Sequence, residues 1–246
     1  MSSDFLCTRI QDLTVPIAAL QQRLRNEPTP VRHGICGFDG FIDTFIRVDS
    51  PDTLLEFGRR MIAAAGISAS YPVVHGDDKF GGNGPLLACA LHDLLSGQAE
   101  VTYIGALGDT GVQPIFQRAL GPKVKRMYTL ADPAHSDCLE FNDGKIMLSD
   151  LRACAQVTWP RLLERVGASA LDDLLQQGDF IAAVNWGKLV NVGPVWENLA
   201  ARLRALAVPA KQVLFFMDLA EFEQRPEPDR RELVSTLGRI TAQCRT

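Results

Sequence analysis

Short apolar runs alternate along the chain with longer stretches whose apolar positions recur every three or four residues, the spacing of one helix face. Over Gln11 to Arg25, Leu13, Ile17, Leu20 and Leu24 keep that spacing, and Pro16 marks a helix start. Gly34 to Phe38 reads as a short buried strand running into a turn at Asp39-Gly40. Ser50-Pro51-Asp52 opens a second helix, a capping hydroxyl followed by proline at the first helical position. Thr53 and Glu56 also have capping-box spacing, which leaves the start open by a few residues. Leu54, Leu55, Met61 and Ile62 would form its buried stripe, with Gly66 as its stop.

A further helix follows Gly81-Gly82-Asn83, with a wide apolar face of Leu86, Leu87, Ala90, Leu91, Leu94 and Leu95, and ends at Gly97. Val101 to Ala106 is strand-like, and Ile115 to Leu120 is a helix stopped by Gly121-Pro122. Between Lys123 and Leu148 the period changes. Cys138 to Asn142 alternates, Asp143-Gly144 is a two-residue hairpin turn signal, and Lys145 to Leu148 is the return strand. The α/β rhythm then resumes: helix from Pro160 to Gln176, strand from Phe180 to Trp186, helix from Pro194 to Leu206, strand from Val213 to Asp218. A last helix, Arg230 to Ala242, carries Leu233, Val234, Leu237 and Ile240. Strands separated by helices of this length predict right-handed crossovers and a parallel sheet covered on both faces.

Composition changes this picture little. The 246 residues are 46% apolar and 22% charged, enough for one α/β domain spanning 1–246. A net charge of −4 gives no bulk attraction to nucleic acid or to an anionic membrane, so neither is an expected partner. No apolar run approaches the roughly 20 residues of a membrane helix, and Met1 to Arg9 lacks the pattern of a secretory signal. The six cysteines, Cys7, Cys36, Cys89, Cys138, Cys154 and Cys244, are scattered without metal spacing, which predicts a reduced, cytoplasmic protein. His33, His75, His92 and His135 show no metal spacing either, and no metal site is expected.

Ligands of open α/β sheets gather beyond the carboxyl ends of the strands. The segments there are rich in glycine and polar groups: Gly37 to Asp43, Lys79 to Pro85, Gly105 to Gly111, Asn185-Trp186 and Asp218. Such ends suit a polyhydroxy ligand. Lys79 could meet a phosphate, Trp186 could stack on a ligand or lie in the core, and Asp109 and Asp218 read as turn or cap residues. There is no P-loop, and Gly82-x-Gly84 lacks the third glycine of a dinucleotide fingerprint because Leu87 stands there.

Gly81-Gly82-Asn83, a helix of small residues, then Val101-Thr-Tyr-Ile-Gly105-Ala-Leu-Gly108-Asp109-Thr-Gly111 resembles the first signature of the ribokinase-like (PfkB) carbohydrate kinases. The resemblance spans roughly residues 33 to 240. It implies an α/β fold, a ribokinase-like parallel sheet flanked by helices, with a small antiparallel β lid around 44–80 and 123–150. It implies ATP and Mg2+ as cofactors and a sugar or nucleoside as the acceptor. A homodimer through the lid is a further implication. Gly81, Gly82 and Asn83 would face the acceptor, the glycines letting the backbone pass close to it. Either Asp39 or Asp43 would hold its hydroxyls, a carboxylate accepting several hydrogen bonds at once. Asn185 is a further candidate contact, and Phe216-Met-Asp218 resembles the family's Asp-Pro-Asn strand.

Three departures qualify these implications. Leu86 stands where the family has a second Asn, and the Pro51 to Gly66 helix is longer than simple lid strands. The family's second signature, a Gly-Ala-Gly-Asp run whose Asp is the catalytic base and whose amides form an anion hole, is absent, as is its Asn-x-x-Glu motif. Gly105 to Asp109 belongs to the first signature and is not a substitute. The expectation is therefore a kinase whose C-terminal part of the fold is missing, with no catalytic residue in this chain, or else a non-catalytic sugar-binding or scaffolding protein. Such a truncation would leave the last strand as an exposed apolar edge.

Overall fold

The computed structural model describes residues 31–246 apart from 96, 210 and 211, together with 18, 19 and 22. Ala18, Ala19 and Gln22 are helical; the rest of the helix expected over Gln11 to Arg25 lies outside the described residues.

The larger of two sheets has the order β5-β4-β1-β8-β9, all parallel. Its strands are β1 (Arg32–Phe38), β4 (Ala99–Gly105), β5 (Arg126–Thr129), β8 (Phe180–Ala183) and β9 (Leu214–Met217). β1 sits at the centre; Gly34 to Phe38 are buried, and only its first two residues, Arg32 and His33, are not. Its alternating side chains feed two cores. Ile35 joins the core beneath α4 (Trp159–Val166), α5 (Ala168–Gln177), α6 (Val192–Ala205) and α7 (Glu227–Gln243). Cys36 joins the core beneath α2 (Asn83–Leu95) and α3 (Pro114–Leu120). Helices on both faces are the cover a parallel sheet requires.

The smaller sheet has the order β3-β2-β6-β7, from β2 (Phe41–Val48), β3 (Val73–Gly81), β6 (Ala134–Phe141) and β7 (Gly144–Asp150). It is mixed where the sequence suggested an antiparallel lid. β2 pairs antiparallel with β3, and β6 with β7, but β2 and β6 run parallel. The reason is topological. β2 continues from β1 and β6 from β5, two parallel strands, so both leave the large sheet in the same direction.

Three local expectations are corrected. The long helix from Pro160 is two helices, α4 and α5, broken at Gly167, whose φ of +84° ends the first and admits no ordinary side chain. The hairpin turn is one residue earlier than Asp143-Gly144, because Phe141 pairs with Gly144 and leaves Asn142-Asp143 as the loop. The stripe on α1 (Leu54–Ala63) is not buried: Leu55, Met61 and Ile62 are 64%, 48% and 78% exposed. That helix is capped by Thr53, as its spacing predicts, and sits against the hairpin. The Leu54 N–H donates to Asp143 Oδ1 at 2.8 Å, and Phe57 packs on Phe141. Likewise the wide face of α2 is narrower than expected. Ala88 is buried, Leu87 and Leu91 pack on the core, and Leu86 and Leu94 are exposed.

Candidate functional site

Past the carboxyl end of β1 the chain turns through Asp39-Gly40 into β2. A Cβ on Gly40 would lie 1.9 Å from the Ala106 carbonyl oxygen, so the turn depends on glycine. Asp39 is fully buried. Its Oδ2 accepts hydrogen bonds from the Asn83 backbone N–H at 2.8 Å and from Asn185 Nδ2 at 2.6 Å; its Oδ1 accepts from the Gly84 N–H at 2.8 Å. Burial pushes its carboxyl up to about 6, against the pull of those donors toward the charged form.

Asp43, inside β2, has a different situation. It pairs with Lys79 on β3 and with Ser136 on β6. Its Oδ1 is buried and has no hydrogen-bond partner among the described residues. Burial raises its carboxyl above the usual range, while the Ser136 hydroxyl, Lys145 and His135 act in the opposite sense. The Ser136 hydroxyl also lies 2.8 Å from that of Ser149.

The two carboxylates explain the glycine run. A Cβ on Gly81 would stand 2.3 Å from Asp43 Oδ2, and one on Gly82 would stand 3.0 Å from Asp39 Oδ2. Gly82 also has φ of +100°, which glycine adopts without strain. The backbone here passes close to the protein's own acids.

Asn83 opens α2, and its Nδ2 donates to Asp218 Oδ2 at 2.5 Å. Asn185 follows β8 in the left-handed region, φ 64°, which Asn tolerates better than most residues. Its N–H donates to Asp218 Oδ2 at 3.3 Å, and Asp218 Oδ1 accepts from the Ala220 N–H at 3.0 Å. The ends of β1, β8 and β9 and the start of α2 are thus joined by one network.

A cleft of about 610 Å³ opens between this network and the smaller sheet. Asp43, Gly81, Gly82, Asn83 and Asn185 line it; Asp39 lies outside its wall. Ser136, Ser149, Lys79 and Lys188 add polar groups, and Phe41, Phe45, Phe80, Leu86 and Met147 an apolar side. Lys188 is paired with Glu221, and Lys79 Nζ lies 4.5 Å above the Phe45 ring. Acceptors, hydroxyls and carboxamides beside an apolar wall suit a neutral polyhydroxy molecule.

Sequence reasoning named Asp43, Gly81, Gly82, Asn83 and Asn185 but missed Ser136, Ser149 and Lys188. Their approach depends on the long-range pairing of β2 with β6 and on the turn after β8, which no local pattern reports. Trp186 is a core residue, 3% exposed, packed on Phe222 with the Arg225 guanidinium 4.3 Å from its ring. Asp109 is held by Arg161 at 2.7 Å and Arg165 at 3.1 Å, so it anchors its loop to α4.

Among the described residues no cluster of three His, Cys, Asp or Glu could hold a metal ion. Gly105 is packed against its neighbours, where a Cβ would meet the Asp39 and Phe38 carbonyl oxygens within 3 Å. No phosphoryl-transfer step is derived from these residues. Among the described residues no helix is long and apolar enough to cross a membrane.

Residues 16–229 match the model of a family described as prokaryotic ketohexokinase. A ketohexokinase of Haloferax volcanii is 27% identical over 180 residues, covering 68% of this chain and 46% of the relative. The chain therefore spans about half the length of the curated relative it matches. Two solved structures share the fold. One is a carbohydrate kinase from Agrobacterium tumefaciens, with TM-score 0.52 and 18% identity over 75% of this chain and 53% of that one. The other is Arabidopsis thaliana ribokinase complexed with ribose and ATP, with TM-score 0.51 and 12% identity over 76% and 53%.

Proposed function

Because the chain belongs to the prokaryotic ketohexokinase family, we propose that it carries the acceptor-binding part of an ATP-dependent sugar kinase, and that the cleft between the two sheets receives the sugar. The observation that carries this reading is the buried Asp43 Oδ1 without a partner. Buried polar atoms are almost always satisfied; Asp43 as a residue is only half-buried and lines the cleft, so a turn of its carboxylate would bring this oxygen to a sugar hydroxyl. Asn83, Asn185 and Ser136 would meet further hydroxyls, while Leu86 and Met147 cover the carbon skeleton. A ketohexose is the first acceptor to test, on the strength of the family.

The catalytic base and anion hole of such kinases have no counterpart among these residues, so this chain by itself binds sugar and transfers no phosphoryl group. ATP and Mg2+ belong to the complete enzyme. The free thiols of Cys36, Cys89, Cys138 and Cys154 suit a reducing cytoplasm. The outer strands of the smaller sheet, β3 and β7, are exposed almost throughout and would form the homodimer contact.

Calorimetric titration with D-fructose, other ketohexoses, ribose and nucleosides tests the proposal. Asp43→Asn keeps the shape but leaves at most one acceptor oxygen, and should weaken sugar binding roughly tenfold to a hundredfold. Equal affinity in Asp43→Asn and wild type would overturn the site. ATP-dependent phosphorylation of a sugar by this chain would overturn the division of roles.

A further inference from the structure

The Asp39 carboxylate does not line the cleft, yet groups on two cleft residues end on it. It accepts the backbone N–H of Asn83 and the side-chain amide of Asn185, and also the N–H of Gly84. One buried group therefore ties the first turn of α2 to the left-handed residue that follows β8. Its own backbone is fixed as well, since the Tyr103 hydroxyl donates to the Asp39 carbonyl oxygen at 2.6 Å. We propose that Asp39 is a positioning residue for the sugar site, holding Asn83 and Asn185 at the spacing the sugar needs without touching it. This rests on the cleft being the sugar site.

The argument is one of valence. Three donors converge on Asp39, and only an ionised carboxylate offers acceptors and no proton to all of them. A protonated carboxyl turns one hydroxyl toward a donor, and an asparagine turns an NH2 toward one. Either change leaves a buried donor unpaired and lets α2 or Asn185 move. The groups facing Asp39 are few. Cys36 on β1, Tyr103 on β4 and Cys154 after β7 all have their ionisation raised by burial and stay neutral between pH 5 and 7. Asp218 shares the Asn83 and Asn185 bonds, and Lys188 stands near Cys154. Asp43 is a second raised carboxylate in the cleft.

Affinity and stability then respond to acid with opposite signs. The folded Asp39 carboxyl is raised from 3.8 to about 6. Its ionisation opposes folding above pH 6, and that opposition is relieved as pH falls toward 4. Sugar affinity falls over the same upper part of that range, because the charged form holds the site.

The test is D-fructose titration from pH 5 to 8, with chemical denaturation and amide hydrogen exchange on the sugar-free chain. Wild type should lose affinity through a step near pH 6 while gaining stability. Asp39→Asn should bind roughly tenfold weaker or more at pH 7.5, and the step should shrink to the part that Asp43, the other raised carboxylate, contributes. Exchange should quicken at Asn83 and Gly84 while β4 keeps its protection. Asn185→Ala, which removes a donor that favours the charged form, should move the step to higher pH; it serves if Asp39→Asn does not fold. Wild-type affinity in Asp39→Asn, or loss of protection spread evenly over the large sheet, overturns the proposal. A wild type that binds no sugar, with the selective exchange change retained, sinks the sugar reading and supports the anchor.

Discussion

A Cβ on Gly84 would lie 2.3 Å from the Tyr103 hydroxyl and 2.6 Å from Asp39 Oδ1, with both neighbours buried and held by hydrogen bonds. Gly84→Ala should therefore cost about 1–3 kcal/mol of stability, as overpacking of a filled core does. Urea denaturation measures this; a neutral Gly84→Ala would mean that the network has slack. The glycine run was legible in the sequence, but its reason only in part. It was expected to let a ligand approach; Gly81 and Gly82 line the cleft and also make room for Asp43 and Asp39. Those acids lie some forty residues upstream, beyond the reach of local pattern. The same distance left the choice between Asp39 and Asp43 open, since both sit in one acidic turn. In the structure Asp39 is fully enclosed while Asp43 lines the cleft.

Four of the five strands of the large sheet were legible as short apolar runs, but β5 was not, because Arg126–Thr129 falls in the segment assigned to the lid. The exceptions are instructive. Gly167 lies inside the span Pro160 to Gln176 expected as one helix, and it breaks that span into α4 and α5. The apolar spacing of α1 was real, but spacing reports a face and not its depth, and that face is open. β9 is the edge of the large sheet, and Leu214 and Phe216 are 41% and 49% exposed on it. Arg245 alone bridges its outer side among the described residues, with the Phe215 N–H donating to the Arg245 carbonyl at 2.6 Å. An apolar edge strand of this kind pairs with other chains. Wild type should associate with rising concentration in sedimentation experiments, and Phe216→Lys should suppress that association. Monomeric behaviour of both would show that Arg245 is cover enough.

At the scale of the whole molecule, the α/β rhythm predicted the parallel sheet, because alternation of strand and helix allows few other arrangements, while the small sheet was expected from the hairpin signal and the family resemblance. The parallel seam between β2 and β6 was not predictable, since it follows from where β1 and β5 lie in the large sheet. That seam joins Phe41 to Ala134 and Arg47 to Glu140, far apart in sequence. Closing so long a loop is entropically costly until the large sheet has aligned the two strand ends. Ile46→Val in the seam, at a cost of about 1 kcal/mol, should therefore act on unfolding, with a φ-value below about 0.3. Ile104→Val beside β1 should slow refolding. The reverse pattern in stopped-flow experiments would put the small sheet first. Since the seam forms one wall of the cleft, the pocket is the last part of the chain to come into being. A ligand held there should lengthen the lifetime of the folded chain and leave the speed of folding unchanged.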